Sequence, residues 1–229
     1  MRGIIKRNDS ITKLVDLSGR IRRKSLFGDL ETNTRPKKNY KVNIQHVRKA
    51  EIRKQDLEFI LFDLEEVFNF LSRVIAKSDS TETEILNIDD TRQKLRFVPS
   101  ENEENIAYYI VNKKDKAIEE LYLKLTNMDS TFIENRDAYS KTNLFTFHSF
   151  FSKKKDKYVL SKGIIQFDQD VIYQQDTSNY KGRYYLLENE QFNPDKIRHN
   201  VSANKDIFKI RKRYKEEFLE FPKPIIAYR

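Results

Sequence analysis

The charge of this chain is sorted along its length, and that sorting limits where a core can form. Residues 1–54 carry 16 Lys/Arg against 5 Asp/Glu, and residues 196–229 carry 10 against 4. The 141 residues between them carry 18 against 26. Clustered like charge resists burial and attracts polyanions, whereas a scattered excess does neither. The core is therefore expected in the middle, with two basic ends available to partners. We read residues 1–43 as a basic, partly extended arm and 44–195 as a core domain. Residues 196–229 read as a basic C-terminal helix followed by an extended tail.

The middle has little aliphatic material to work with. Hydrophobic residues make up 38% of the chain and charged residues 34%, but 16 Phe and 12 Tyr are present. Each aromatic ring buries about 150–250 Å², so a core built on them is feasible. Apolar residues recur at three- and four-residue steps over 44–77 (Leu57, Ile60, Leu61, Leu64, Val67, Phe68, Leu71), which predicts a long amphipathic helix. Shorter helices are expected at 10–18, on Ile11, Leu14, Val15 and Leu17, and at about 117–125, on Ala117, Ile118, Leu121, Tyr122 and Leu125. Period-two or aromatic runs predict strands at 84–88, 94–98, 106–111, 143–151, 158–172 and 183–187. Residues 78–84, 153–157 and 176–182 read as loops or turns, as does the Asp89–Asp90 pair, and Gly163 reads as the mark of a bend or bulge. At the C-terminus, 202–220 reads as a helix stopped by Pro222 and Pro224. Together these elements predict an α+β fold: a small antiparallel meander packed with a long helix.

Several function classes lose support. Cysteine is absent, which removes disulfides, thiolate catalysis and Cys-ligated metals. No apolar run approaches a membrane span, and the N-terminus lacks the apolar centre of a secretory signal. A cytoplasmic protein, or a virion component assembled in the cytoplasm, is the expectation. No phosphate-binding glycine loop or nucleophile elbow occurs. The segment Lys181–Leu187 fails the aromatic-rich pattern of RNA-recognition strands, because Arg183 stands where a ring should follow Gly182. No cofactor is implied.

The candidate sites follow from charge. Arg20, Arg22, Arg23, Lys24, Arg35, Lys37 and Lys38 form the N-terminal basic set. Lys209, Arg211, Lys212 and Arg213 form the C-terminal one. Guanidinium forks suit phosphate because they donate two parallel hydrogen bonds. Tyr180, Tyr184, Tyr185 and Tyr214 are candidates for stacking on bases. Asp168 and Asp170 alternate onto one face of a strand, the arrangement that could hold Mg²⁺ if a third ligand such as Glu188 joined them, with Lys181 nearby. His148 shares a strand face with Leu144, Thr146 and Phe150. The function expected is a non-enzymatic structural or assembly component of a nucleoprotein or virus/phage particle. It would contact nucleic acid or neighbouring subunits through its basic ends, as part of an oligomer. A metal-dependent nuclease using Asp168/Asp170, or a regulatory protein-binding protein, are the alternatives.

Overall fold

The computed structural model describes residues 2–23, 40–51, 81–99, 104–133 and 137–187. All of the regular structure there is strand. The N-terminal part supplies β1 (Arg2–Arg7), β2 (Ser10–Arg23) and β3 (Tyr40–Glu51). Next come β4 (Thr81–Asn87), β5 (Arg92–Pro99), β6 (Ile106–Asn112), β7 (Ala117–Thr126) and the short β8 (Thr131–Ile133). Three long strands, β9 (Ala138–Lys154), β10 (Lys157–Tyr173) and β11 (Asp176–Leu187), complete the set. They form one antiparallel sheet in the order β3-β2-β1-β11-β10-β9-β7-β6-β5-β4, with β8 pairing β9. Among the described strands the last thus pairs with the first, and β3 and β4 stand at the two ends of the order.

The expected α+β fold is therefore corrected to all-β. The helix expected at 10–18 is part of β2, the one at 117–125 is β7, and 44–51 of the long helix is β3. The rest of that helix, with Leu64 and Phe68, lies outside the described residues, as does the C-terminal helix. Residues 2–23 of the expected arm supply β1 and β2, and β1 sits inside the sheet between β2 and β11. Residues 176–182, expected as a turn, belong to β11; the turn is Gln174–Gln175.

A bulge lies in all three segments misread as helix, although 44–51 enters the expected helix only as the lead-in to the stripe that begins at Leu57. In a regular strand, residues two apart share a face. A β-bulge inserts one extra residue, so residues three apart come to share it, which is helix-like spacing. Thr12 is the extra residue in β2, where Lys13 faces Ile5 but Ile11 faces Lys6. Gln45 is the extra residue in β3, and Ile44 and Val47, three apart, are both buried. Glu119 is the extra residue in β7, between Ile118 and Glu120. In β10 the extra residue is Ser161, two positions before the expected Gly163. Two of these bulges satisfy the facing carbonyl themselves: Thr12 Oγ1 donates to Ile5 O at 3.2 Å, and Ser161 Oγ donates to Phe150 O at 2.9 Å.

One face of the sheet is the core. Phe97, Ala107, Tyr109, Leu121, Leu123, Leu125, Phe147 and Phe151 form a buried cluster across β5, β6, β7 and β9. Ile5, Val15, Leu17, Ile44 and Val47 are buried further along the sheet. Glycine is required at one crossing here. Gly182 of β11 faces Phe167 of β10, and a Cβ at Gly182 would overlap the Phe167 ring. Gly3 and Tyr184 repeat the arrangement between β1 and β11. Each ring fills the space over a missing side chain and keeps the strands in register.

The hairpin β10–β11 carries the clearest local strain. Its two turn residues, Gln174 and Gln175, both have positive φ (45° and 72°). A two-residue hairpin of this hand favours Asn-Gly, because other L-residues pay for the left-handed conformation. Replacing Gln174–Gln175 by Asn-Gly should raise stability by about 1 kcal/mol and the melting temperature by roughly 2–4 °C. Gly182→Ala should lower stability by about 1–3 kcal/mol through overpacking against Phe167. Thermal denaturation of the two variants beside the parent checks both.

Candidate nucleic-acid interface

The second face of the sheet is built from the residues between the core positions. The register aligns one residue from each of seven strands into a transverse row: Arg96, Tyr108, Tyr122, His148, Ile164, Tyr185 and Arg2. Adjacent strands lie about 4.8 Å apart, so the row runs about 29 Å along the sheet. Neighbouring rings in it touch. Tyr108 and Tyr122 stack with centroids 5.2 Å apart, and Tyr122 meets His148 edge-on at 5.1 Å. Phe150 adds a ring 4.3 Å from His148.

Cations flank these rings. Lys94 Nζ lies 4.0 Å from the Tyr108 centroid, Lys162 Nζ 5.6 Å from Phe150, and Arg183 Cζ 5.3 Å from Tyr185. A cation over an aromatic face gains from the ring quadrupole, and the side chain stays directed across the sheet. At the row's ends the arginines are tied to carboxylates: Arg96 to Glu84 at 3.3 Å and Arg2 Nε to Asp16 at 2.7 Å. Lys94, Lys162 and Arg183 have no carboxylate partner among the described residues. They are free to pair with an external anion.

One carboxylate sits beside the row and organises it. Glu120 Oε1 accepts from Tyr108 OH at 2.8 Å and lies 2.7 Å from His148 Nε2. Burial, and then the bond to Glu120, push the Tyr108 phenol well above its ordinary range, so it remains a donor. Three strands are thereby clamped at one point.

The residues singled out from the sequence fall in several places. Arg20, Arg22 and Arg23 lie in β2. Lys24, Arg35, Lys37, Lys38, Lys209, Arg211, Lys212, Arg213 and Tyr214 lie outside the described residues. Of the stacking candidates, Tyr180 and Tyr184 are core residues, 3% and 9% exposed, while Tyr185 is in the row. Tyr108, Glu120, Lys94 and Lys162 were not singled out, and Tyr122 was named only as part of an expected helix face. Their alternation with core residues within each strand is legible in the sequence, but their alignment depends on cross-strand register, which is not.

Asp168 and Asp170 do share the second face, and two amides enclose them. Asn179 Nδ2 donates to Asp168 Oδ1 at 2.6 Å and to Asp170 Oδ1 at 2.8 Å. Asn143 Nδ2 donates to Asp170 Oδ2 at 2.8 Å and to Asp168 Oδ1 at 3.4 Å. Asn143 reaches this position because it is the extra residue of a bulge in β9, between Thr142 and Leu144. Lys181 is engaged by Asp9 at 3.1 Å. Among the described residues no group of three or more His, Asp or Glu could hold a metal ion, and Glu188 lies outside them. No described helix is long and apolar enough to cross a membrane.

The amide bonds have a pH consequence. Hydrogen bonds from Asn143 and then Asn179 hold the Asp170 carboxyl below its ordinary range. A carboxyl with a lowered folded-state pKa stabilises the fold above its unfolded pKa of about 3.9 and loses that contribution as pH falls through the folded value. The melting temperature should therefore fall between about pH 5 and about pH 3, and Asp170→Asn should flatten that fall. Thermal melts of parent and variant across this range check the sign; a steeper fall in the variant would reverse it.

Comparison with known proteins returns nothing: no family model, no curated protein and no solved structure matches this chain.

Proposed function

We propose that this chain is a non-enzymatic structural component of a nucleoprotein assembly and holds single-stranded nucleic acid across the second face of its sheet. The observation that carries the reading is the row of rings Tyr108, Tyr122, His148 and Tyr185 flanked by the cations Lys94, Lys162 and Arg183. Single strands present bases that stack on aromatic side chains and phosphates that need cations, and every base has a face to offer. The row supplies both at strand spacing, without the donor pattern that would read a sequence. The basic ends of the chain add sequence-independent attraction to phosphate. A virus or phage particle, or a cytoplasmic complex assembled before it, is the setting this reading implies, with neighbouring copies as the other partners.

The test is equilibrium binding of a labelled single-stranded oligonucleotide at several salt concentrations. The parent should bind with little sequence preference and with a steep loss of affinity as salt rises. Tyr185→Ala should weaken binding roughly fivefold to a hundredfold, from about 1–3 kcal/mol of stacking, and leave the salt slope intact. Replacing Lys94, Lys162 and Arg183 by Gln should reduce the slope by about 0.7 for each phosphate no longer neutralised. Absence of binding at low salt, or full affinity in both variants with the fold intact, would overturn the reading.

A further inference from the structure

We infer that the edge strand β4 is a self-pairing surface at which a second copy of this chain adds to the sheet. The inference extends the assembly reading by naming a subunit contact. Its test uses protein free of nucleic acid, so the two can fail separately.

Three observations carry it. The first is composition in place. Ile85 is 65% exposed, Leu86 48% and Ile88 43%, so apolar side chains meet water on both faces of the outermost strand. Edge strands are ordinarily protected by charge, proline or cover, because bare ones recruit other strands. At the opposite end of the sheet, β3 buries Ile44 and Val47.

The second is the direction of the backbone. Ile88 N donates to Arg92 O at 3.1 Å, which makes Ile88 and Arg92 a hydrogen-bonded pair in the β4–β5 hairpin. Such pairs alternate along an antiparallel ladder. Leu86 and Glu84 therefore turn their peptide groups toward β5, while Thr83, Ile85 and Asn87 turn theirs outward. No described strand pairs with that side. The hairpin is held rigidly at its turn. Asp89 Oδ1 accepts from Thr91 N, Thr91 Oγ1 and Arg92 N, each within 2.8 Å, and Asp89 Oδ2 accepts from Arg92 Nε at 2.8 Å.

The third is self-complementarity. Two copies related by a twofold axis perpendicular to the sheet place residues of the same face opposite each other. A twofold through Ile85 sets Ile85 against its own copy, Thr83 against Asn87, and Glu84 against Leu86. Every outward peptide group in 83–87 then finds a partner, no like charges are directly opposed there, and each exposed Ile85 side chain covers the other. A shift that centres the axis on Glu84 would oppose two carboxylates. Pairing one seven-residue strand makes a small interface, so the dimer should depend on concentration.

The experiment uses the full chain after nuclease treatment. Because the chain has no cysteine, Ile85→Cys introduces a single thiol that meets its own copy across the axis. Mild oxidation should convert this variant to a covalent dimer, while Ile88→Cys, also exposed but facing a different residue, should remain largely uncrosslinked. Sedimentation should show the parent shifting from monomer to dimer as concentration rises. Ile85→Pro should remain a folded monomer throughout, because it removes an outward N–H and no bond to β5. A parent that stays monomeric at high concentration, crosslinking equal at 85 and 88, or an Ile85→Pro variant that dimerises like the parent would each overturn the inference.

Discussion

The placement of β1 between β2 and β11 is the constraint on which the rest depends. Its six residues pair in register with Tyr180–Tyr185 on one side and with β2 on the other. Local hairpins account for most other neighbours in the sheet. The β1–β11 ladder alone joins the two ends of the described chain, at a sequence separation that costs loop-closure entropy before any contact repays it. The repayment is visible in the side chains. Ile5 is fully buried, the Tyr184 ring covers Gly3, and Arg7 Nη2 donates to Ser178 Oγ at 2.8 Å. Without this ladder the sheet would end at β11, and the second-face row would lose Arg2 beyond Tyr185.

The row itself is a product of register. Tyr108, Tyr122, His148 and Tyr185 come from four different strands and are separated by up to 77 positions, yet each is directly opposite the next or one strand removed. Bulges at Glu119, Asn143 and Ser161 each shift the pairing by one residue. Glu120 fixes the alignment at the centre by accepting from Tyr108 across one strand boundary and meeting His148 across the other. The same side chains that clamp the sheet therefore form the platform that the functional reading uses. Stability and binding are expected to be coupled there.

Much of the strand content was legible in the sequence, and what was not has a physical cause. Regular alternation exposed β5, β6, the aromatic part of β9 and the second half of β4, whose first residues, 81–83, read as loop. The three segments misread as helix each contain a bulge. Ile11 and Leu14, Ile44 and Val47, and Ile118 and Leu121 are all three residues apart and face the same way across an extra residue. Spacing alone does not separate that from a helix turn. Asp168 and Asp170 were placed on one face from alternation, and they are on one face. The amides that enclose them come from β9 and β11, and no local pattern announces Asn143 or Asn179. Tyr180 and Tyr184 against Tyr185 show the same limit. Adjacent tyrosines in one strand divide between core and second face by parity, and parity is assigned only once the partner strand is known.

The measurement that bears most directly on the central claim is the set of cross-strand Hα–Hα contacts between β1 and β11 in a nuclear Overhauser spectrum. Asn8 N donates to Asn179 O at 2.9 Å, so the alternation makes Arg7–Tyr180, Ile5–Gly182 and Gly3–Tyr184 the pairs without hydrogen bonds, where Cα atoms approach to about 4.5 Å. Strong Hα–Hα cross-peaks are expected at these three pairs and not at Ile4–Arg183 or Lys6–Lys181. Their absence, or a register displaced by one residue, would contradict the placement of β1 and with it the continuous row on the second face.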